Sequence, residues 1–389
     1  MSEWKEYKLG EIAEIVGGGT PDTSNKEYWG GNIPWLTPKD LTGYNKIFIS
    51  SGERFITEEG LDNSSTKLLP QGTVLLSSRA PIGYVAIASN PICTNQGFKS
   101  IICNKDIVDN LYMYYWIKNN TELLQSLGTG TTFAEISGSV VKSIAISLPP
   151  LPEQKHIASI LSSLDDKIDL LHRENATLEA MAETLFRQWF IDKENDSTLE
   201  QIISIQNGYN FKSNDFKDKG DSQIVKIKNI SNGIVDIDST DWVDKKITNV
   251  LLSKFQLHSG DVIIAMTGAE IGKLGIVPNN NRNLWLNQRV GLVVEKYIGA
   301  KYLAYLQLKN DFGQDYIENT ATGSAQPNIS GLGIEKCGFP KLGGEDIVMM
   351  SKQIGSFYDK IVFNLGQIRI ITQTRDSLLP KLMSGEIKV

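Results

Sequence analysis

The chain has little cysteine and little histidine. Its three cysteines, Cys93, Cys103 and Cys337, cannot all pair and form no CxxC. That excludes a disulfide scaffold and fits thiols kept reduced in a cytoplasm. His156, His172 and His258 lack metal-ligand spacing, so no metal site is expected. No run of about 18 apolar residues occurs, which excludes a membrane-spanning helix. The opening MSEWKEYKLGE has no apolar stretch of the signal-peptide kind. Excess positive charge is also missing: 39 Lys and Arg stand against 45 Asp and Glu, a net charge of −6. Taken alone, that argues against a nucleic-acid partner. The deficit is local, however. Residues 152–196 carry −5, whereas 197–340 are neutral and 341–389 carry +2. Whole-chain charge therefore does not veto a local basic face.

Catalytic signatures are absent as well. GAEIGKL (268–274) has three residues where a phosphate-binding loop needs four, and Leu274 where Ser or Thr must hold magnesium. GTGTTF (128–133) has no dinucleotide-binding strand before it and no acidic residue placed for a ribose. No Asn/Asp-Pro-Pro-aromatic motif of an amino-methyltransferase occurs.

What is present is a repeat with a period near 193. GTGTTFAEIS (128–137) returns as TATGSAQPNIS (320–330), Asp166-Lys167-Ile168 as Asp359-Lys360-Ile361, and the pattern of LFRQWF (185–190) as LLPKLM (378–383). Upstream, GTVLLSS (72–78) answers GDVIIAM (260–266), and TNQGF (94–98) answers LNQRV (286–290). A period this long is a duplicated domain, not a solenoid. The spacing predicts four parts: globular domains over 1–150 and 197–340, and long helices over 151–196 and 341–389. Short β-branched runs broken by Gly, Pro and Asn, with helices at 109–126 and 299–312, make the globular parts mixed α+β.

The helical parts are periodic. After Leu148-Pro149-Pro150-Leu151-Pro152, the stretch from Glu153 to Ile191 contains no Gly or Pro. Its seam steps by four and three through Ile157, Leu161, Leu164, Ile168, Leu171, Asn175, Leu178, Ala182, Leu185 and Trp189. The second seam runs Met350, Ile354, Phe357, Ile361, Asn364, Ile368, Ile371, Arg375, Leu378, Leu382. Five heptads make a coiled-coil seam of about 55 Å. Each seam holds one Asn, and a buried Asn needs a polar partner. Pairing Asn175 with Asn364 sets an antiparallel register, with Leu171 on Ile368, Leu178 on Ile361 and Ala182 on Phe357. That pairing gives a pseudo-twofold internal repeat. One layer, Leu164 against Arg375, is poor, and Pro380 is expected to end the second helix early.

The polar loops with interleaved aromatics supply candidate DNA contacts. These are Thr20, Thr37, Lys39, Ser77, Ser78, Arg79, Thr129 and Thr131 in the first half. The second half offers Tyr209, Lys212, Lys226, Lys228, Asn229, Thr267, Lys273 and Ser324. Such side chains suit phosphate contact and base-edge readout. Two related domains at a fixed separation are how a protein reads two half-sites on one duplex. Apolar residues off the seam are candidates for partner docking: Leu170, Phe186 and Phe190 on the first helix, and Tyr358, Val362, Phe363 and Ile370 on the second.

The segments WKEYKLGEIAEIVGGGTP (4–21), IPWLTPKDL (33–41), ISLPPLPEQKHIASILSSLDDKID (146–169), LFRQWF and LLPKLMSGEI (378–387) together resemble the specificity subunit of type I restriction–modification systems. The resemblance covers essentially the whole chain. It implies two target-recognition domains, each reading half of a bipartite, asymmetric double-stranded DNA site. It also implies two helices that measure the unread spacer and dock two methyltransferase subunits. Those subunits would carry S-adenosylmethionine and methylate adenine N6; restriction subunits would add cleavage driven by ATP and magnesium. This chain itself would be non-catalytic, bind no cofactor, touch no membrane and need no second copy. KLGGEDI (341–347) departs from LPPLPEQ, so the two docking surfaces are expected to be unequal. The alternative function is an orphan adaptor recruiting another effector to DNA.

Overall fold

The computed structural model describes residues 4–130, 134–323 and 326–389. The chain divides into two compact units, one formed by 1–169 with 371–389, the other by 170–370. Each unit contains one globular part and a portion of both long helices.

In the first unit a five-stranded sheet runs, in spatial order, Ala13–Gly17, Phe98–Cys103, Val74–Ser77, Val85–Ala88 and Phe48–Ile49. The last pair is parallel and the others antiparallel. Val74, Leu75 and Leu76 are all buried, because this central strand is covered on both faces. A smaller sheet pairs Trp29–Leu36 antiparallel with Arg54–Ile56 and parallel with Cys93–Thr94. Lys5–Lys8 and Ala145–Leu148 close the unit as an antiparallel pair.

The second unit repeats the plan. Ile203–Asn207, Val290–Glu295, Val262–Ala265, Leu274–Ile276 and Gly233–Val235 follow in the same order, again with the fifth strand parallel to the fourth, and Ile230–Ser231 adds a sixth strand antiparallel to Gly233–Val235. Ser222–Val225 pairs antiparallel with Asp241–Val243 and parallel with Leu284–Leu286. Ser197–Thr198 closes on Gly338–Phe339. One architecture is thus built twice, from mixed sheets with short helices.

The long helices run over Leu151–Phe190 and Gly344–Met383. In the first unit Ile157, Ala158 and Leu161 share a buried cluster with Leu382 and Met383. Arg375 Nη1 there donates to Asp165 Oδ1. In the second unit Ala182 and Phe186 share a cluster with Met350 and Ile354. Further along, Asn364 Nδ2 donates to Asn175 Oδ1 at 2.9 Å and to Glu174 Oε2 at 3.0 Å. Within each unit the helices therefore pair antiparallel.

Two expectations are corrected here. Pro380 does not end the second helix, which continues to Met383. Leu382 and Met383 are sunk in the core, and Ser384 N–H still bonds the Pro380 carbonyl at 3.0 Å. Packing beyond the proline holds a turn that the missing N–H weakens. The layer with Arg375 is not a mismatch either, because the guanidinium turns from Leu164 to its neighbour Asp165.

Candidate nucleic-acid interface

At one end of the sheets in each unit, five loops are tied by the same four main-chain hydrogen bonds. In the first unit these are Gly19 N to Thr94 O, Asn95 N to Leu36 O, Ser78 N to Gly97 O and Ile136 N to Ser78 O, at 2.7–2.9 Å. In the second they are Tyr209 N to Leu286 O, Asn287 N to Val225 O, Met266 N to Arg289 O and Ile329 N to Met266 O, at 2.9–3.1 Å. A reciprocal main-chain pair, Thr129 with Glu135 or Thr322 with Asn328, pins the fifth loop. The turn after the smaller sheet's central strand is likewise duplicated. Thr37 N donates to Asp40 Oδ2, and Lys226 N donates to Asn229 Oδ1. These bonds fix residue equivalences: Thr37 with Lys226, Lys39 with Lys228, Ser78 with Met266, Arg79 with Thr267, and Gly97 with Arg289.

The frame is shared and the side chains on it differ. Arg79 is exposed, and its Nε donates to Glu135 Oε2 at 2.9 Å. Lys99 Nζ reaches Glu135 Oε1 at 3.1 Å. Burial alone would raise the Glu135 pKa, but hydrogen bonds from Lys99 and Arg79 outweigh it and hold the carboxyl below its usual range. In the second unit Lys226 and Lys228 converge on Asp241 at 2.6 and 2.7 Å. Those bonds likewise outweigh burial and lower its pKa. Lys226 also lies 3.4 Å over the Phe216 ring.

Other candidates sit as follows. Thr20 bonds Gln96 Oε1, Thr37 bonds Asp40 Oδ2 at 2.8 Å, and exposed Lys39 pairs with Glu53 at 3.3 Å. Thr129 is exposed in the hairpin. Half-buried Tyr209 packs on Phe211 and Phe255. Lys212 is exposed, and Lys273 pairs with Glu270 at 3.0 Å. The Thr267 hydroxyl is buried and has no partner among the described residues. Thr131 and Ser324 lie outside the described residues.

Three candidates are corrected. Ser77 and Ser78 are fully buried: Ser77 Oγ bonds Pro81 O at 2.7 Å and Ser78 Oγ bonds Gly97 O at 3.1 Å. Asn229 is fully buried too, its Nδ2 donating to Ser239 O at 3.1 Å. All three hold the frame and cannot reach a base without breaking it. Sequence reasoning passed over Gln96, Gln288 and Arg289, which stand exposed on the duplicated loop. Their signal was available, since TNQGF and LNQRV already aligned. Asn95 and Asn287 turn inward to bond the main chain of residues 97 and 289, which leaves the following Gln at the tip.

Docking candidates on the helices split in the same way. Leu170, Phe363 and Ile370 are exposed. Phe190 is half-buried against Phe339, with ring centroids 5.2 Å apart. Phe186, Tyr358 and Val362 are corrected: all three are buried in the second unit's own core. The globular helix Ala300–Lys309 covers the off-seam face there, and Tyr302 stacks on Tyr358 at 4.7 Å.

Chemically, these loops present hydrogen-bond donors and acceptors on a fixed main-chain frame. Burial raises the thiol pKa values of Cys93, Cys103 and Cys337, Cys93 to about 11, so none is a thiolate nucleophile. Among the described residues no three His, Cys, Asp or Glu side chains converge to hold a metal, and no helix is long and apolar enough to cross a membrane.

The family described as "Type I restriction modification DNA specificity domain" matches residues 1–180 and again 192–341. The chain belongs to this specificity family. Across its whole length the specificity subunit is 34% identical to the type I restriction enzyme MjaIX specificity subunit of Methanocaldococcus jannaschii, of which it covers 94%. It is 22% identical over its whole length to the HindI specificity subunit of Haemophilus influenzae, with all of that chain covered. The type I S subunit from M. genitalium shares the fold, with a TM-score of 0.67 at 16% identity over 98% of this chain and 96% of that one. The duplicated frame is therefore that of a DNA specificity subunit, and its function is target recognition.

Proposed function

We propose that each unit reads one half of a bipartite, asymmetric site on double-stranded DNA. The observation that carries this reading is the pair of loop clusters, alike in four main-chain bonds and different in the side chains they expose. Equivalent frames dock equivalently on a duplex, and different side chains then select different bases. The two long helices set the unread spacer. Their exposed Leu170, Phe363 and Ile370 belong to the faces that dock two methyltransferase subunits. Those subunits bring S-adenosylmethionine and methylate adenine N6, and restriction subunits bring ATP and magnesium for cleavage. The chain supplies recognition alone, and the assembly works in the cytoplasm. With a net charge of −6, the isolated subunit binds DNA weakly, since phosphate electrostatics dominate affinity.

The test is a domain exchange. Residues 1–150 are replaced by the same segment of a relative, the chain is co-expressed with its modification subunits, and the host methylome is mapped. One half-site changes; the other half and the spacer stay. A swap that changes both half-sites, or neither, refutes the reading.

A further inference from the structure

Ser78 N to Gly97 O in the first unit, and Met266 N to Arg289 O in the second, mark the same junction between two loops. Residues 79 and 97 flank that junction in one unit, and 267 and 289 in the other. The pairs are Arg with Gly, then Thr with Arg. Each junction thus holds one arginine, from opposite loops. We propose that these two arginines are the guanine-reading residues of the two half-sites: Arg79, held by the positioning residue Glu135, in one, and Arg289 in the other. The proposal rests on the half-site reading above.

Three observations make the exchange more than coincidence. A side chain at residue 97 would force its neighbours to shift, since a Cβ there would come within 2.8 Å of Pro38 Cγ and 2.9 Å of Asn95 Oδ1. The first unit places its arginine on the other loop. There Glu135 accepts from Arg79 Nε at 2.9 Å, while Nη1 and Nη2 have no partner among the described residues. That is the planar fork that grips guanine O6 and N7, with its third edge already clamped. In the second unit Asn328 replaces Glu135 opposite position 267. The Glu135 carboxylate thus has no counterpart at that position, and residue 267 is a threonine whose hydroxyl is buried. The guanidinium moves across the junction to Arg289, which is exposed and has no side-chain partner among the described residues. Arg79 is pre-organised and Arg289 is not, so Arg79 discriminates more sharply.

The test is methylome mapping of the full chain co-expressed with its modification subunits. Arg79→Ala is expected to relax one base pair of one half-site, and Arg289→Ala one base pair of the other. Each should lose roughly 10- to 100-fold in preference for the matched base. Glu135→Gln should relax the same base pair as Arg79→Ala by a smaller factor, which a merely structural carboxylate would not do. The unaltered half-site in each variant reports that the chain is folded. If an alanine variant loses all methylation, Arg79→Lys and Arg289→Lys decide. They keep the charge, lose the fork, and should relax the same positions. Unrelaxed motifs in those variants, or weakening that is uniform over all sequences, overturn the assignment. A wild-type complex that marks no interrupted two-part motif defeats the half-site reading itself. A two-part wild-type motif with unrelaxed variants defeats only the arginine assignment.

Discussion

The first unit half-buries an ion pair where the second buries a ring. A step of 193 residues carries Asp165 onto Tyr358 and Ala182 onto Arg375. In the first unit Arg375 Nη1 bonds Asp165 Oδ1, and the Tyr115 hydroxyl donates to Oδ2 at 2.6 Å. In the second, Tyr358 stacks on Tyr302 and packs edge-on to Tyr305, and Ala182 across from it is fully buried. Both arrangements fill the notch between the paired long helices and a globular helix. A charge pair needs both partners, whereas the stacked ring depends mainly on volume, with the buried Tyr358 hydroxyl left without a partner among the described residues. The same fold therefore tolerates opposite chemistry at equivalent places, provided each side of a contact changes together. The two duplicated loop junctions obey the same rule with Arg79 and Arg289.

The sharpest way to break this comparison is to strand one partner. Tyr358→Ala should cost about 4 kcal/mol, since it removes a buried aromatic side chain and leaves a cavity. Asp165→Ala should cost about 2 kcal/mol, because the Tyr115 hydroxyl and Arg375 Nη1 lose their acceptor while Arg375 keeps Asp376. Transplanting the second unit's solution, Asp165→Tyr with Arg375→Ala, should recover most of the second loss. Urea unfolding of the three variants measures all of this. A double variant no more stable than Asp165→Ala would show that the notches are not interchangeable.

The heptad seams and the duplication were legible in the sequence because they are long and periodic, so one misread residue changes nothing. The burial of Phe186, Tyr358 and Val362 was not. Those positions face a third body, the unit's own globular part, and a two-helix seam is silent about what lies beside it. Ser77, Ser78 and Asn229 were misread for a different reason. A short polar side chain caps a turn as readily as it meets a base, and only the three-dimensional path of the chain decides. Gln96 and Arg289 lie in the repeat itself, where TNQGF matches LNQRV. Their exposure follows from Asn95 and Asn287 turning inward, which no pattern of residues announces.

A smaller effect sharpens the register. Asn364 is fully buried and bonds Asn175 and Glu174, yet its Oδ1 has no partner among the described residues. Asn364→Leu alone should cost about 1 kcal/mol, since it strands the Asn175 amide. Replacing both by Leu should match or exceed wild-type stability, and helix register should become less uniform. Thermal unfolding reads the first effect, and distances between spin labels within this unit read the second. A double variant less stable than the single one would mean that the pair contributes energy as well as register.

The smallest effect separates the two hairpin corners by pH. Glu135 has a depressed pKa in the folded state, because bonds from Lys99 and Arg79 outweigh its burial. A lowered carboxyl pKa stabilises fully above the unfolded value of about 4.3. That contribution is lost as pH falls through the folded pKa. The corner is partly exposed, so solvent screening leaves a few tenths of a kcal/mol. Asn328, opposite Thr267, carries no charge and should lose nothing. Hydrogen exchange at the Ile136 and Ile329 amides, corrected for intrinsic rate, makes the comparison within one molecule, because both bond equivalent carbonyls. Ile136 should lose protection between pH 5 and 3 while Ile329 holds its own. Glu135→Gln should abolish the difference. A pH-dependent loss at Ile136 that survives this substitution would place the acid sensitivity of the first unit elsewhere than in the carboxylate that holds Arg79.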